Sequence, residues 1–170
     1  MLRIGLLSDT HGYLDPKVFE HFHECHEIWH AGDIGDNQVA EELASFRPLK
    51  AVFGNVDGRL IRSAYPQDQI FTCEGLKVYL THIGGYPGNY FPEASGKIQT
   101  NKPGLFICGH SHILKVMPDN VLNLLHMNPG AAGKHGFHKW RTVLRFTIEQ
   151  GVVKDLEVIE LGLRSEIVRS

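Results

Sequence analysis

Seven side chains able to bind a metal ion follow short apolar segments of this 170-residue sequence. They are four histidines, two aspartates and one asparagine: Asp9, His11, Asp33, Asn55, His82, His110 and His112. This mixture of nitrogen and oxygen donors suits borderline ions such as Mn, Fe, Ni or Zn better than Mg or Ca, which prefer oxygen alone. Seven donors are too many for one tetrahedral ion. The set therefore predicts two divalent ions that share a carboxylate.

The charge of such a centre indicates what it could act on. Two divalent ions contribute about +4, while Asp9, Asp33 and a shared hydroxide together subtract about three. The net charge of about +1 would attract an anionic phosphoryl group. Paired ions roughly 3.5–4 Å apart clamp the attacking and leaving oxygens and supply hydroxide at neutral pH. The donor set therefore predicts a hydrolytic metal centre.

Five apolar segments precede these donors, and each has the length and composition of a buried strand. They cover residues 2–8, 27–31, 49–53, 76–80 and 104–108. Open α/β sheets bind their ligands just beyond the carboxyl ends of such strands. We therefore expect the seven donors to meet at one edge of a sheet.

The spacing of the donors supports this convergence. Asp9 and His11, like His110 and His112, are separated by one residue, and residues i and i+2 of an extended chain point to the same side. Three donors directly follow a glycine: Asp33 follows Gly32, Asn55 follows Gly54, and His110 follows Gly109. Glycine at these positions lets the backbone turn sharply and approach its neighbours closely.

The elements between the donors alternate strand and helix. Asp15 and Pro16 are typical of a helix start, and the apolar face that follows continues to Cys25. Asp36 predicts the cap of a second helix, which Pro48 ends. This order predicts βαβ units and a mainly parallel sheet.

The pattern changes in the middle of the chain. We expect a loop over 59–68, a hairpin over 70–80 with a tight turn at Glu74–Gly75, a loop over 84–91 and a helix over 93–101. Further strands are expected over 113–117, 121–125, 140–148 and 152–159. Parallel units followed by antiparallel ones predict an α/β fold with two sheets packed face to face and helices outside.

Bulk composition limits the class of protein. With 42% hydrophobic and 21% charged residues, the chain is long enough for one domain with a real core, expected over residues 1–170. A formal charge of -2 gives no sign of a nucleic-acid surface. No apolar stretch is long enough to span a membrane, and the first residues do not resemble a signal peptide, so we expect a cytoplasmic protein. The three cysteines lack a CxxC pattern and are interpreted as reduced core residues: Cys25, Cys73 and Cys108.

Five ordered blocks of the sequence and one later turn resemble the motifs of a known family. They are Asp9-Thr10-His11, Gly32-Asp33, Gly54-Asn55, His82 and Gly109-His110-Ser111-His112, followed by Asn128-Pro129-Gly130. These blocks resemble the calcineurin-like metallophosphoesterase superfamily, and the short length resembles its compact YfcE-like phosphodiesterase branch. The resemblance implies a four-layer α-β-β-α sandwich of two mixed sheets, with a dinuclear metal site at the carboxyl ends of the strands.

The resemblance also implies roles for the seven donors. The first ion would be held by Asp9, His11, Asp33 and His112. The second would be held by Asp33, Asn55, His82 and His110. Asp33 would therefore bridge the two ions, and Asn55 would also lie near the phosphate. The four residues around the second ion are the candidate catalytic residues.

The implied function is hydrolysis of a small phosphate ester, a diester rather than a monoester, by in-line attack of a hydroxide that bridges two ions. Mn is the ion expected first, with Ni, Fe, Zn or Co as alternatives, because borderline ions interchange in such sites. The compact branch alone suggests a homodimer. The alternative function is a non-catalytic protein-interaction scaffold similar to the retromer subunit Vps29, whose family keeps this fold and can lose metal ligands. The presence of all seven donors favours the enzyme.

Two blocks depart from the family pattern. Val56 stands where many members have a histidine thought to assist the leaving group, so that proton must come from water or from another residue. Ile83 stands where the compact branch often has glycine. In the loop that follows, Tyr86 and Tyr90 could stack on a base or an aryl group, or could simply pack. Asp57 could orient a ligand histidine or serve as a turn residue.

The other histidines carry weaker signals. Three are expected at the surface or its boundary: His21, His23 and His26. His30 is expected in the core, and His135 and His138 could approach the site. Three basic residues in that last segment could attract phosphate: Lys134, Lys139 and Arg141.

Overall fold

Two five-stranded mixed sheets pack face to face, with helices on both outer faces. The computed structural model of the chain describes residues 1–166. In chain order the elements are β1 (Leu2–Leu7), α1 (Lys17–His21), β2 (Glu27–His30), α2 (Asn37–Phe46), β3 (Leu49–Ala51), α3 (Arg59–Ala64), β4 (Asp68–Cys73), β5 (Leu76–Thr81), β6 (Gly85–Tyr86), β7 (Asn89–Tyr90), α4 (Pro92–Asn101), β8 (Leu105–Ile107), β9 (Leu114–Asp119), β10 (Leu124–Pro129), β11 (Trp140–Glu149) and β12 (Val152–Leu163). The predicted α-β-β-α sandwich is confirmed.

The first sheet has the strand order β12-β11-β1-β2-β3. Its strands β1, β2 and β3 are parallel, with Ile4 opposite Glu27 and Ile28 opposite Leu49, and β11 runs antiparallel to β1. Because the three parallel strands point the same way, the loops that follow them meet at one edge of the sheet.

The second sheet has the order β4-β5-β8-β10-β9, in which β5, β8 and β10 are parallel. The hairpin between β4 and β5 has the tight turn predicted at Glu74–Gly75, and both turn residues have positive φ. Turns of this kind match the twist of the strands that they join.

The core lies in three layers. Between the sheets, Ile4 and Leu6 of β1 pack with Trp29, whose ring meets Phe71 and Phe146 edge to face. Neighbouring residues of a strand point to opposite faces. The other faces of β1 and β2 therefore pack against α1, α2 and α3, while α4 covers the outer face of the second sheet.

Two helices differ from the sequence-based expectation. The first is confined to Lys17–His21, so Cys25 lies beyond it, although Phe22 still packs on Gly5 of β1. The segment expected to be a loop over 59–68 contains the short helix α3, which begins after Gly58 and buries Ile61. The segment is polar and α3 buries only Ile61, so the sequence shows no apolar period that would indicate a helix.

The remaining differences concern strand and loop bounds. The strand expected over 121–125 begins three residues later, because Val121 lies exposed in the turn before β10. The expected loop over 84–91 contains the two-stranded hairpin β6–β7. All three cysteines are buried with free thiols, and His30 is buried as predicted. Among residues 1–166, no helix has the length and apolar character needed to cross a bilayer.

Candidate metal centre

The structure brings all seven predicted donors together at the edge where parallel strands of both sheets end. The donors lie in the loops after β1, β2, β3, β5 and β8. Six of them form two groups, and within each group the donor atoms lie within 4.8 Å of one another. The groups are Asp9, His11 and His112, and Asp33, His82 and His110. The seventh, Asn55, contacts the second group.

The first group surrounds one carboxylate oxygen. Asp9 Oδ1 lies 3.1 Å from His112 Nε2 and 3.7 Å from His11 Nε2, and the two imidazole nitrogens are 3.3 Å apart. Ser8 Oγ and the backbone N–H of His110 both donate to Asp9 Oδ2, which fixes the carboxylate. Asp9 Oδ1 is buried without a hydrogen-bond partner among the described residues. A cation would satisfy this oxygen and the histidine lone pairs directed at it.

The second group is arranged in the same way around His82. Its Nδ1 lies 2.7 Å from the carbonyl oxygen of Ala31, so Nδ1 carries the proton and donates it. Nε2 then presents a lone pair, yet it lies 3.1 Å from Asp33 Oδ2 and 3.1 Å from Asn55 Oδ1. His110 Nδ1 also lies 3.1 Å from Asn55 Oδ1. Acceptor atoms that converge in this way fit a cation.

Asp33 connects the two groups. Its Oδ2 lies 3.1 Å from His82 Nε2 and 3.6 Å from His11 Nε2, which belong to different groups. Its Oδ1 accepts a hydrogen bond from the backbone N–H of Val56. This is the position that a carboxylate shared by two ions would occupy.

The charges of the site also favour cations. Burial raises the pKa of the Asp9 carboxyl, but the neighbouring His11 and His112 outweigh it and hold that pKa below its ordinary value. Burial likewise opposes ionisation of Asp33, and His82 outweighs it, so the pKa of Asp33 is also lowered. Two ionised carboxylates therefore stand in a largely buried site, where an unpaired charge is costly.

The backbone at the donors has an unusual conformation that the sequence did not reveal. Five donors have φ between 46° and 70°, in the left-handed region: Asp9, His11, Asp33, His110 and His112. Residues other than glycine seldom adopt this conformation, and backbone strain of this kind collects at functional sites. Asp and His enter this region more often than most other non-glycine residues, but the residue type alone does not predict it.

The glycines before the donors are explained mainly by close approach. A Cβ at Gly54 would overlap Asp33 Oδ1, and one at Gly109 would overlap Ser8 Oγ. Of the three glycines, only Gly32 has a positive φ, at 97°. The predicted close approach is therefore present at all three positions, and the sharp turn only at Gly32.

Asp57 has a role that neither of its two interpretations anticipated. Its buried carboxylate accepts hydrogen bonds from the backbone N–H groups of Ile34, Gly35 and Gly54, at 2.8–3.1 Å. Asp57 therefore ties the Asp33 loop to the Asn55 loop.

Asn128 has a comparable role in the second sheet. Its amide donates to the carbonyl oxygen of Gly109 and to Ser111 Oγ, and its Oδ1 accepts from the N–H of Gly130. The turn that resembled the compact branch thus supports the loop that carries His110.

The segment after β10 borders the first group. The ring centroid of His135 lies 4.7 Å from that of His11, and the ring of His138 lies 5.3 Å from that of His112. Both histidines thus approach the site. Arg141, by contrast, is fully buried in an ion pair with Asp15 and is not placed to attract phosphate, which corrects that hypothesis.

The two tyrosines of the 84–91 segment lie away from the donors. Tyr90 packs against Phe106, with ring centroids 5.3 Å apart. Tyr86 is half exposed beneath Lys115 Nζ. Neither tyrosine lines the cavities that border the donors.

A four-layer sandwich with two groups of metal-binding side chains at one sheet edge is the architecture of a metallophosphoesterase. Residues 2–151 match the model of the calcineurin-like phosphoesterase superfamily domain, and the chain belongs to this superfamily. It is therefore a hydrolase of phosphate esters, in a family that uses divalent metal ions.

Individual relatives agree with this assignment. A probable metallophosphoesterase from Methanothermobacter thermautotrophicus is 30% identical over 135 residues, which cover 75% of this chain and 76% of that protein. The structure of an archaeal phosphodiesterase superposes with a TM-score of 0.76 at 22% identity, covering 94% of this chain and all of that one. Vps29 from Chaetomium thermophilum superposes with a TM-score of 0.73 at 17% identity, covering 95% and 97%. The two structures show a shared fold.

Proposed function

We propose that this protein is a phosphodiesterase with a dinuclear metal centre. Asp9, His11, Asp33 and His112 would hold the first ion. Asp33, Asn55, His82 and His110 would hold the second. The observation that carries the proposal is the position of the Asp33 carboxylate, within 3.6 Å of a histidine nitrogen of each group.

The ions, when bound, polarise the phosphoryl oxygens and lower the pKa of an attacking water. The protein fixes the geometry of the reaction. His82 is held by its bond to Ala31, so its Nε2 cannot turn away from the centre. Asn55 directs Oδ1 towards His82 and His110, which leaves its amide N–H groups free to donate to a phosphoryl oxygen.

The rim of the site supplies no proton donor at position 56. The Val56 side chain is half exposed beside the donors and cannot protonate a leaving group. General-acid assistance contributes roughly 10²–10⁴-fold. The enzyme should therefore favour esters whose leaving groups depart as stable anions, such as nitrophenolates.

The donor set supports Mn as the resident ion, with Ni, Fe, Zn or Co as competitors. Four of the seven donors are histidines, which suit Fe, Ni and Zn, and the other three offer the carboxylate and amide oxygens that suit Mn. Mg and Ca prefer shells made of oxygen. Metal analysis of the purified protein, followed by reconstitution with each ion, will rank them.

Diester specificity is supported by the charges around the donors. The larger cavity beside them, lined by Val56, Ile113, His135 and Phe137 among others, has no Lys or Arg among its described lining residues. A monoester carries a second negative charge that would have no further cation to meet. A diester carries only one.

The first experiment is hydrolysis of bis(p-nitrophenyl) phosphate by metal-stripped protein, with and without Mn, beside p-nitrophenyl phosphate. We expect diester cleavage that depends on Mn and little cleavage of the monoester. The parent protein is compared with the His112→Ala variant, a change that removes one metal donor and lies in an exposed loop. Equal cleavage of both esters would contradict diester specificity, and cleavage without metal would contradict the metal mechanism.

The alternative function, a scaffold similar to Vps29, has the fold likeness in its favour. It gives no reason for seven donors to converge or for five of them to adopt a left-handed backbone. A protein that binds two ions but hydrolyses no phosphate ester would favour the scaffold.

We also propose that residues 1–170 form one metallophosphoesterase domain that acts on a small phosphate ester in the cytoplasm as a homodimer. Sedimentation equilibrium of the purified chain tests the oligomeric state directly.

A further inference from the structure

Two cavities border the donors and share a single lining residue, Asn55. The Phe91 cavity has a volume of about 300 Å³ and includes Phe53, Asn55, His82, Ile83 and Phe91 in its walls. The Phe137 cavity has a volume of about 530 Å³ and includes Asn55, Val56, His112, Ile113 and Phe137. Asn55 is also the donor proposed to lie near the phosphate. A phosphate at Asn55 would therefore border both cavities.

Both cavities present exposed apolar side chains. Phe137 is fully exposed and Ile113 is 63% exposed in the Phe137 cavity. Phe91 is 47% exposed and Ile83 is 39% exposed in the Phe91 cavity. Exposed apolar side chains grouped beside a few polar groups are typical of ligand-binding grooves.

Neither cavity offers a free Lys or Arg side chain among its described lining residues. The described lining of the Phe137 cavity contains no Lys or Arg. In the Phe91 cavity, the guanidinium of Arg62 donates to the backbone carbonyl oxygens of Asp57 and Asn55 and lies over the ring of Phe53. Groups that enter either cavity are therefore not expected to carry a further phosphate.

We propose that the substrate is a phosphodiester whose two arms are uncharged and aromatic. One arm lies in the Phe91 cavity against Phe91 and Ile83, and the other lies in the Phe137 cavity against Phe137 and Ile113. This inference rests on the proposed phosphodiesterase function. A diester has two ester oxygens and so two arms, which matches two cavities that each present exposed apolar side chains and meet at one proposed phosphate-binding residue. A monoester would leave one cavity empty.

The test uses phosphinates, which have phosphorus–carbon bonds and cannot be hydrolysed. Calorimetric titration of the Mn-loaded protein compares dimethyl-, methyl(phenyl)- and diphenylphosphinate. Aromatic contacts contribute about 0.5–1.5 kcal/mol each, so each phenyl group should tighten binding by roughly 3–10-fold. Binding that does not depend on the number of phenyl groups would overturn the proposal.

Two variants assign the arms to the cavities. Phe91→Ala and Phe137→Ala should each weaken diphenylphosphinate by roughly 3–10-fold. Each should affect methyl(phenyl)phosphinate much less, because its single ring can use the remaining cavity. The matched control is Tyr86→Ala, which removes an exposed aromatic ring outside both cavities and should change nothing. Unchanged diphenylphosphinate affinity in both phenylalanine variants would overturn the proposal.

Failure of this inference is distinct from failure of the proposed function. The two-arm inference alone would be overturned if the protein cleaves bis(p-nitrophenyl) phosphate with Mn but binds phosphinates equally well whatever their number of phenyl groups. Absence of that cleavage would count against the phosphodiesterase itself. If Phe91 and Phe137 instead serve a protein partner, their replacement would leave phosphinate binding unchanged.

Discussion

Left-handed backbone serves different purposes in two regions of this molecule. Among the described residues, five metal-donor positions have this conformation, and so do five non-glycine positions elsewhere. The second set is Glu74, Lys102, Asn123, Gln150 and Asp155. Glu74 and Gln150 each precede a glycine in a two-residue turn between antiparallel strands, where positive φ reverses the chain.

At the metal donors the same conformation directs the side chains towards the candidate metal centre. The loop of Asp9 and His11 is bound to its neighbour, because the N–H of Asp9 donates to the carbonyl oxygen of Gly32 and the N–H of His11 donates to that of Asp33. These bonds between loops hold a backbone conformation that Asp and His adopt more often than most other non-glycine residues, but still seldom. The surrounding loops, and not local turn preference, therefore build the metal site.

The largest expected effect comes from replacing one left-handed residue of each region with glycine. His11→Gly should lower Mn-dependent diesterase activity by more than about 100-fold, because loss of even an outer partner of a metal ligand costs about 10–100-fold. Gln150→Gly should leave activity unchanged. Glycine accepts positive φ without strain, so each variant should keep its free energy of unfolding without metal to within about 1 kcal/mol. Urea titration and steady-state kinetics measure the two quantities.

The outcome that would contradict this contrast is a His11→Gly variant that keeps its activity. A strongly destabilised Gln150→Gly variant would show that the turn depends on more than its backbone conformation.

A second pair compares the carboxylates that support each region. Asp57 accepts three backbone N–H groups at the site, while Asp119 accepts those of Val121 and Leu122 in the turn before β10. Asp57→Ala should cost about 3 kcal/mol of stability, because buried donors without partners cost about 1–3 kcal/mol each. It should also weaken Mn binding by about 10–100-fold.

The control is Asp119→Ala, which should cost less stability and leave Mn affinity unchanged. Thermal unfolding and calorimetric Mn titration of the two variants provide the measurements. Equal Mn affinity in both variants would show that the loop connection made by Asp57 is unimportant for the site.

The third pair concerns two buried histidines. Burial lowers the pKa of both His30 and His126 to about 4. In the unfolded chain these imidazoles bind protons near pH 6.5, so the unfolded state gains protons first as the pH falls. Each histidine should therefore reduce stability progressively from about pH 6.5 down to pH 4, by at most about 3 kcal/mol. Above pH 6.5 this effect is absent.

Replacement by phenylalanine distinguishes the two. At neutral pH, His30 is bonded to Thr10 Oγ1 and accepts from the N–H of Gly32, while both ring nitrogens of His126 lack partners among the described residues. His30→Phe should destabilise the site region, whereas His126→Phe should be neutral or stabilising. Both replacements should reduce the loss of folding stability that occurs as the pH falls from about 6.5 to 4. An unchanged loss in His126→Phe would refute the assigned pKa.

The smallest expected effect is that of Tyr86→Ala. Because Tyr86 lies outside both cavities, the Michaelis constant for bis(p-nitrophenyl) phosphate should stay within about twofold of the parent value. An increase of tenfold or more would place this ring in the substrate path.

Much of the fold could be predicted from sequence because its strands are short, apolar and bounded by glycine. The order of donors at strand ends also predicted the convergence of seven residues, because parallel strands share one edge. Helix α3 could not be predicted, since its single buried anchor, Ile61, leaves no period to detect.

The residues that support the site could not be predicted from the sequence either. The sequence left two interpretations of Asp57, a partner that orients a ligand histidine or a turn residue, and only the fold brings the N–H groups of Ile34 and Gly35 to its carboxylate. The left-handed φ angles of His110 and His112 arise from contacts between loops, which no local pattern encodes. Arg141 looked available for phosphate because its buried partner, Asp15, is distant in sequence.

The proposed function requires two ions that share Asp33 at this sheet edge. Its most direct test is anomalous diffraction from crystals of the protein loaded with Mn. Two ions held in this way should give two anomalous peaks, one among Asp9, His11 and His112 and one among Asn55, His82 and His110, with Asp33 contacting both. A single peak, or two peaks without a shared Asp33, would contradict it.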